Sequence, residues 1–273
     1  MDLSAYGLEN KVAIVTGGGA GIGKGIALEL VKAGAVVAIA EIDSDLLDST
    51  VNEIKTMGGR AYGFAGDMQE PEQVESLMEQ TAREFGSIDV LVNNVGGLPG
   101  IERKIPFWEM DEELWDRVLR LNTKPLFLCS KTIAKFMIEQ KKGGSIINIT
   151  SIVGLVPPSS LCATYGFVKA GIVNFTTTAA TDLGQYGIRV NAIAPGRVET
   201  PMTDRLYQDH PWVREPQIKI IPLGRLGKPD DIGKAAVFLA SDASEYISGH
   251  TILVSGGLTH LYTPKANKVN PEA

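Results

Sequence analysis

The sequence predicts an α/β protein: a doubly wound, seven-stranded parallel sheet with helices on both faces, in a single domain spanning 1–273. Three observations predict it. Short apolar runs alternate with segments of helical spacing along the chain, the pattern of a parallel sheet covered on both sides. The runs are nearly continuous in Val, Ile and Ala, as strands buried on both faces are. No linker, low-complexity tract or shift in composition interrupts the 273 residues, a length near the upper limit for one hydrophobic core.

The elements follow in order. "KVAIVTGG" ends in glycines and reads as the first strand. Residues 22–33 have helical spacing, and Gly34 stops that helix. "AVVAIAE" is the second strand, 44–57 a polar amphipathic helix and "RAYGFAGD" the third strand. Pro71 suits a helical first turn, and that helix runs to about Phe85. "IDVLVNN", "GSIINITS" and "GIRVNAIAPG" are strands four to six. Helices are expected over 111–120, 125–140 and 163–184, the first two separated because Pro125 should interrupt helical bonding. A helix from Pro229 to Ala240 precedes the last strand, "TILVS". Right-handed crossovers make the whole doubly wound. The core is expected over 8–257. The tail, 259–273, is polar with two prolines and either hangs loose or reaches a neighbouring subunit.

Composition removes several classes of function. A net charge of -6 opposes a nucleic-acid surface, which needs a basic stripe. No apolar run has the ~18 residues of a membrane helix. The N-terminus, "MDLSAYGLENK", is acidic and polar, so no secretory signal is expected. Cys129 and Cys162 are too few for a disulfide framework, and His210, His250 and His260 are too scattered for zinc. The expected setting is a reducing cytoplasm, without a metal.

"TGGGAGIG" (Thr16–Gly23) follows the first strand and opens the first helix. In that setting Gly17 allows a tight turn, while Gly21 and Gly23 let the backbone approach a pyrophosphate at the helix N-terminus. Glu41 ends the second strand. A carboxylate there can take both ribose hydroxyls of an adenosine and repels a 2′-phosphate, so NAD is expected over NADP. Glu41 could instead cap the next helix. Asp67 could accept the adenine amino group, cap the helix near Pro71, or both.

Tyr165 and Lys169, in "TYGFVKAG", are four residues apart, on one face of a helix. A tyrosine with a pKa near 10 is a poor base at neutral pH. A nearby ammonium should lower that value, so the pair could exchange a proton with an alcohol or carbonyl. Ser151 ends the fifth strand, where sheet C-termini face the ligand crevice, and its hydroxyl could hold a substrate oxygen. Asn122, in "RLNTKP", could hold a water linking the lysine to solvent. Ser151 could also be only a strand-end cap, and Asn122 a helix C-cap.

With "TGGGAGIG", "NNVG", the Asn of "LNTKP", the Ser of "ITSIVG", "YGFVK" and "PGRVET" in this order, the chain resembles a short-chain dehydrogenase/reductase from about Leu8 to Gly257. The resemblance implies a Rossmann fold and a catalytic tetrad of Asn122, Ser151, Tyr165 and Lys169. Tyr165 would be the acid/base, and Ser151 would orient the reacting oxygen. Lys169 would bind the nicotinamide ribose, and Asn122 would hold a proton-relay water. Gly17, Gly21, Ile22, Gly23, Glu41, Asp67, Met68, Asn94, Pro195, Val198 and Thr200, with Tyr165 and Lys169, match cofactor-contacting positions. It also implies a homotetramer through the helices at 111–140 and 163–184 and the last strand, and hydride chemistry on a small secondary alcohol or its ketone. The same tetrad serves 3-oxoacyl-thioester reduction. A nucleotide-sensing protein without turnover is the reading from another class. Departures are Val95, Phe167, Val168, Ser255 and one extra residue between Ser151 and Tyr165.

The substrate pocket is expected from "GGLPGIERKIPFWEM" and a lid at 197–222. Val153, Met202 and Leu206 join Ser151 and Tyr165 as substrate contacts, with Leu155, Val156, Trp212 and Val213 closing an apolar wall. Arg103, Lys104, Arg205 and Arg214 either meet an anion or are solvated surface.

Overall fold

The computed structural model describes residues 4–98, 105–156 and 163–258. Arg103, Lys104, Cys162, His260 and the 259–273 tail lie outside the described residues, as does the side chain of Leu206.

β1 (Val12–Thr16), β2 (Val36–Glu41), β3 (Ala61–Ala65), β4 (Val90–Asn93), β5 (Gly144–Ile149), β6 (Ile188–Pro195) and β7 (Thr251–Val254) form one sheet. Its order is β3-β2-β1-β4-β5-β6-β7, and every neighbouring pair is parallel. Each strand coincides with an expected run. The order reverses at β1, which pairs with both β2 and β4. That reversal opens a crevice beyond the carboxyl ends of β1 and β4, where doubly wound sheets take their ligands.

The two-residue period of a strand divides the core. Ala13 and Val15 face α1 (Gly21–Lys32), α2 (Ser44–Thr56) and α8 (Pro229–Ala240), packing with Ile26, Leu30, Val51 and Ile232. Ile14 faces the other side, with Leu77 and Met78 of α3 (Pro71–Phe85) and Cys129, Ile133 and Met137 of α4 (Glu112–Gln140). Each such buried aliphatic side chain contributes about 1.5–3 kcal/mol over its exposed state. α5 (Ala163–Leu183) packs on α4 through Leu126, Val168 and Ile172. Burial pushes the Cys129 thiol up to about 12, so it behaves as a small hydrophobe.

One expected boundary is wrong. Residues 111–120 and 125–140 are not two helices; α4 is continuous, with Pro125 inside it. Leu114, Val118, Leu126, Cys129 and Ile133 are buried on both sides of the proline, so tertiary packing holds the two halves in one rod despite the lost backbone bond. The lid is also more regular than a loop. It contains α6 (Pro201–Asp209) and α7 (Pro211–Lys219), the second opening on Pro211 as the rule for first-turn prolines allows. Among the described residues, no helix is long and apolar enough to cross a membrane.

Candidate active site

The glycine-rich turn is fixed from three strands. Gly17 has φ +63, a left-handed conformation that glycine adopts without penalty, and its N–H donates to Ala40 O at 2.7 Å. The Asn94 amide donates to Thr16 O at 3.1 Å and to Gly17 O at 3.0 Å. The Asn94 N–H donates to Thr16 Oγ1 at 3.0 Å. A Cβ on Gly23 would run into Gly17 O and the Asn94 amide, so that glycine is required for close approach. Ala20, at the N-cap of α1, makes no side-chain cap bond, which leaves the first helical N–H groups without side-chain caps at the crevice. Ile22 packs against the core beneath. Asn94 therefore braces the turn, and both its amide protons are already used there.

Glu41 stands beside this turn. Its Oε2 accepts from Gly19 N–H at 3.0 Å, and its Oε1 from the N–H groups of Ile42 at 2.9 Å and Asp43 at 3.4 Å. It does not cap α2; Asp43 does, accepting from Asp45 and Leu46. Asp67 follows β3 and accepts from Gln69 N–H at 2.8 Å, while α3 has no side-chain cap at Glu70. Its carboxylate therefore closes a local turn rather than capping the helix. The Met68 side chain is buried in the core, which leaves only its backbone for a ligand.

The four expected catalytic residues meet. Tyr165 and Lys169 lie on α5. The Ser151 hydroxyl, just past the end of β5, stands close enough to the Tyr165 phenol to offset part of its upward pKa shift. Lys169 Nζ donates to Ile149 O at 3.2 Å and lies 5.4 Å from the Tyr165 ring centroid. Thr150 Oγ1 donates to Lys169 O at 2.7 Å, which pins α5 to the strand end. Asn122 is fully buried inside α4. Asn122 Oδ1 and Lys169 Nζ both lie within 3.4 Å of the point where a Gly96 Cβ would stand.

Two expectations about this cluster need revision. Asn122 is not a helix C-cap. Its amide donates to Gly97 O and Val118 O, each at 2.8 Å, and its Oδ1 accepts from Gly97 N–H at 3.0 Å. Both amide protons are spent, so the side chain anchors the loop after β4, and the second lone pair of Oδ1 is what it has left for a water. Nor does the lysine depress the tyrosine in the protein alone. Burial pushes the Tyr165 phenol up to about 12, and the Ser151 hydrogen bond offsets only part of that. Burial also lowers Lys169 to about 8, so its ammonium stays largely protonated at neutral pH but gives up its proton more readily than a free lysine.

The lid sits less closely. Val198 bridges to Gly227, Pro195 ends β6, and Thr200 is within 3.5 Å of a Cβ built on Gly21. Beside this junction, on the outer side of α1, is a cavity of about 440 Å³ lined by Gly21, Lys24, Glu199, Pro201 and Lys228. None of the four catalytic candidates lines it. Tyr207, Ile221 and Leu226 form the lid's own core with Val213 and Ile218. Met202 and Trp212, expected on a closed apolar wall, are 70% and 71% exposed, because the lid's inward positions are taken by that small core. Arg214 pairs with Glu199 at 2.6 Å, and Arg205 is exposed. Val153 is partly buried beside Ser151, and its N–H donates to Ser151 Oγ at 3.3 Å.

Sequence reasoning missed a buried polar chain beneath the site. The Asn93 amide donates to Ser130 Oγ and Asn148 Oδ1, both at 2.9 Å, and the Asn148 amide donates to Thr176 Oγ1 at 2.9 Å. Asn93 and Asn148 are register partners on β4 and β5. Their signal was an asparagine in each of two otherwise apolar strands, a pattern that calls for mutual hydrogen bonding.

A family model described as Enoyl-(Acyl carrier protein) reductase matches residues 17–259. A 3-oxoacyl-(acyl-carrier-protein) reductase of Thermotoga maritima is 39% identical over 251 residues, covering 92% of this chain and 98% of the relative. A 7 alpha-hydroxysteroid dehydrogenase complexed with NADH and 7-oxo glycochenodeoxycholic acid superposes with TM-score 0.87 at 34% identity, covering 96% of this chain and 99% of the other. A structure assigned as a candidate 2-deoxy-D-gluconate 3-dehydrogenase from Agrobacterium tumefaciens, with bound NADP, has TM-score 0.83 at 33% identity over 93% of this chain and 98% of that one.

Proposed function

The chain belongs to the short-chain dehydrogenase/reductase family of oxidoreductases acting on CH–OH groups, and on that premise we propose that it uses NAD(H) to interconvert a small secondary alcohol and its ketone, with Tyr165 as acid/base. The observation that carries this reading is the Ser151–Tyr165–Lys169 cluster at the carboxyl end of the sheet. The premise alone leaves NAD(H) and NADP(H) both open.

The residues suit the group. The turn from Gly17 to Gly23 and the uncapped start of α1 would take the pyrophosphate, Glu41 the adenosine ribose and Lys169 the nicotinamide ribose. Asp67, the Met68 backbone, Asn94, Pro195, Val198 and Thr200 would line or brace the same crevice. When bound, the nicotinamide supplies the carbon that exchanges the hydride and, in its oxidised form, a positive charge that favours phenolate. Ser151 holds the substrate oxygen beside the Tyr165 hydroxyl. In oxidation the phenolate takes the alcohol proton; in reduction the phenol gives it back. Lys169, lowered to about 8, can pass a proton onward near neutral pH. Asn122 fixes the loop at Gly97, and a relay water beyond Lys169 would be held by the remaining lone pair of its Oδ1 or by nearby backbone groups.

Glu41 favours NAD, since its fixed carboxylate would repel a 2′-phosphate. Val153, Met202 and Leu206 are the proposed substrate contacts. Phe127 and Phe167, 51% and 62% exposed on α4 and α5, support burial of those helices in a homotetramer, and one domain would carry both sites. A second reading, 3-oxoacyl-thioester reduction, is favoured by the Thermotoga maritima relative. Nicotinamide absorbance with a panel of steroid, alicyclic and aryl alcohols, polyols and 3-hydroxyacyl thioesters separates the two. Turnover confined to thioesters would replace the first reading with the second.

A further inference from the structure

The most unusual contacts outside the tetrad surround Gly19. Glu41 Oε1 accepts from Ile42 and Asp43, chain neighbours that lie beside it whatever the rest of the crevice does. The Gly19 N–H on Oε2, at 3.0 Å and 22 residues away in sequence, is a different kind of anchor. Gly19 is not among the glycines with positive φ, so its backbone would accept any residue. Its missing side chain matters for another reason. A Cβ there would stand 2.7 Å from Glu41 Cγ and 2.9 Å from Oε2, with Leu46 Cβ at 3.0 Å behind it. Between helix α2 and a glutamate side chain, the glutamate is what yields.

Thr50 completes the arrangement. It lies inside α2, fully buried. Thr56, Thr81, Thr123 and Thr176 all bond back to the carbonyl four residues earlier in their own helices, the usual use of a helical threonine hydroxyl. Thr50 Oγ1 instead reaches Gly19 O at 2.8 Å. That bond sets the Gly19 carbonyl and steadies the segment that carries its N–H.

We infer that Gly19 and Thr50 are specificity-positioning residues: they clamp the Glu41 carboxylate against the glycine-rich turn, so that the cofactor's adenosine ribose meets a charge that cannot swing away. The inference rests on the proposed role of Glu41. A carboxylate held in place offers an acceptor to ribose hydroxyls without further ordering, which is preorganisation. A free glutamate would rotate to solvent when a 2′-phosphate approached, and much of the repulsion would vanish. The clamp therefore converts an acidic residue into a discriminating one.

The test is fluorescence titration of NADH and NADPH into the wild-type protein, Gly19→Ala, Thr50→Val, Thr50→Ser, Glu41→Ala and the Gly19→Ala/Glu41→Ala double variant. Gly19→Ala is expected to cut the Kd ratio of NADPH to NADH about tenfold, the size of one charge-assisted hydrogen bond. Thr50→Val is expected to cut it about threefold, with Thr50→Ser restoring it. In the Glu41→Ala background, Gly19→Ala should move the ratio less than about twofold. If Glu41→Ala collapses the ratio but Gly19→Ala and Thr50→Val leave it intact, the clamp is wrong and the NAD reading stands. An equal Gly19→Ala effect in both backgrounds also overturns the clamp. A ratio that ignores Glu41→Ala removes the NAD reading and the clamp together.

Discussion

On the cofactor side of the crevice, Gly17, Glu41 and Asn94 stand at the ends of buried strands, tied by hydrogen bonds that span 22 to 78 residues of sequence. On the substrate side, Met202 and Trp212 stand on nine-residue helices whose small core is their own, and both are mostly exposed. The first region is fixed by the sheet; the second meets it through Val198, packed in the core, and Thr200, beside Gly21. Rigid geometry suits a ligand shared across the family, and exposed side chains on the proposed lid would leave room for substrates that differ between relatives.

The largest effect expected belongs where the two regions meet. Tyr165→Phe should lower kcat by about 10³-fold or more while the NADH Kd stays within about twofold, because the phenol hydroxyl touches the reacting oxygen and little of the cofactor. Steady-state rates beside a fluorescence titration check it. Comparable activity in the variant would break the mechanism.

On the cofactor side, Glu41→Ala should narrow the NAD over NADP preference in kcat/KM by about 10- to 100-fold. An unchanged preference would show that this rigid region does not select the nucleotide.

Lys169→Met tests what the active site costs the fold. Its ammonium, lowered to about 8, binds fewer protons in the native state than in the unfolded chain between pH 8 and the normal lysine value. Wild-type stability therefore rises with pH through that window, and below pH 8 the full cost of burying the charge is carried. The variant should be inactive yet more stable at pH 7 by about 2 kcal/mol. That advantage should fade as pH passes from 8 towards 10.5 in thermal melts, and a loss of stability at pH 7 would contradict the sign. In the wild type, kcat/KM for alcohol oxidation should climb with pH above neutrality, because the Tyr165 phenol must lose its proton to act as base and burial raises its pKa.

The smallest effects lie on the lid. Met202→Ala and Trp212→Ala should each leave stability within about 0.5 kcal/mol, since both side chains are exposed. A rise of about threefold in KM for bulky substrates would show that the lid closes over them, whereas no change for any substrate would remove Met202 from the pocket.

What was legible in the sequence follows the same division. Each strand could be read because a buried parallel strand must be a short apolar run, and the turn could be read because its backbone demands glycine at Gly17 and Gly23. Helical spacing put Tyr165 and Lys169 on one face, but the pair read as a site only with Ser151, Asn122 and the ordered family motifs beside it. Asn122 was placed correctly near the lysine, but the use of its amide was not foreseen, since no spacing rule says that Gly97 will consume both ends. Pro125 misled because local chemistry predicts a break that packing of Leu126 and Ile133 overrides. The opposed pKa shifts of Tyr165 and Lys169 could not be read either, because they depend on burial, which sequence separation does not report. On the lid, apolar residues at helical spacing could not reveal which would face inward: of the expected wall, Val213 packs inward with Ile218, whereas Met202 and Trp212 are mostly exposed.

The central claim is that the Ser151–Tyr165–Lys169 cluster drives NAD-linked alcohol oxidation. The most direct test is nicotinamide absorbance at mildly alkaline pH, over the alcohol and thioester panel, with NAD and NADP in parallel and Tyr165→Phe as control. The account predicts reduction of NAD well ahead of NADP by at least one secondary alcohol, lost in the variant. Turnover that prefers NADP, or that survives Tyr165→Phe, would contradict it.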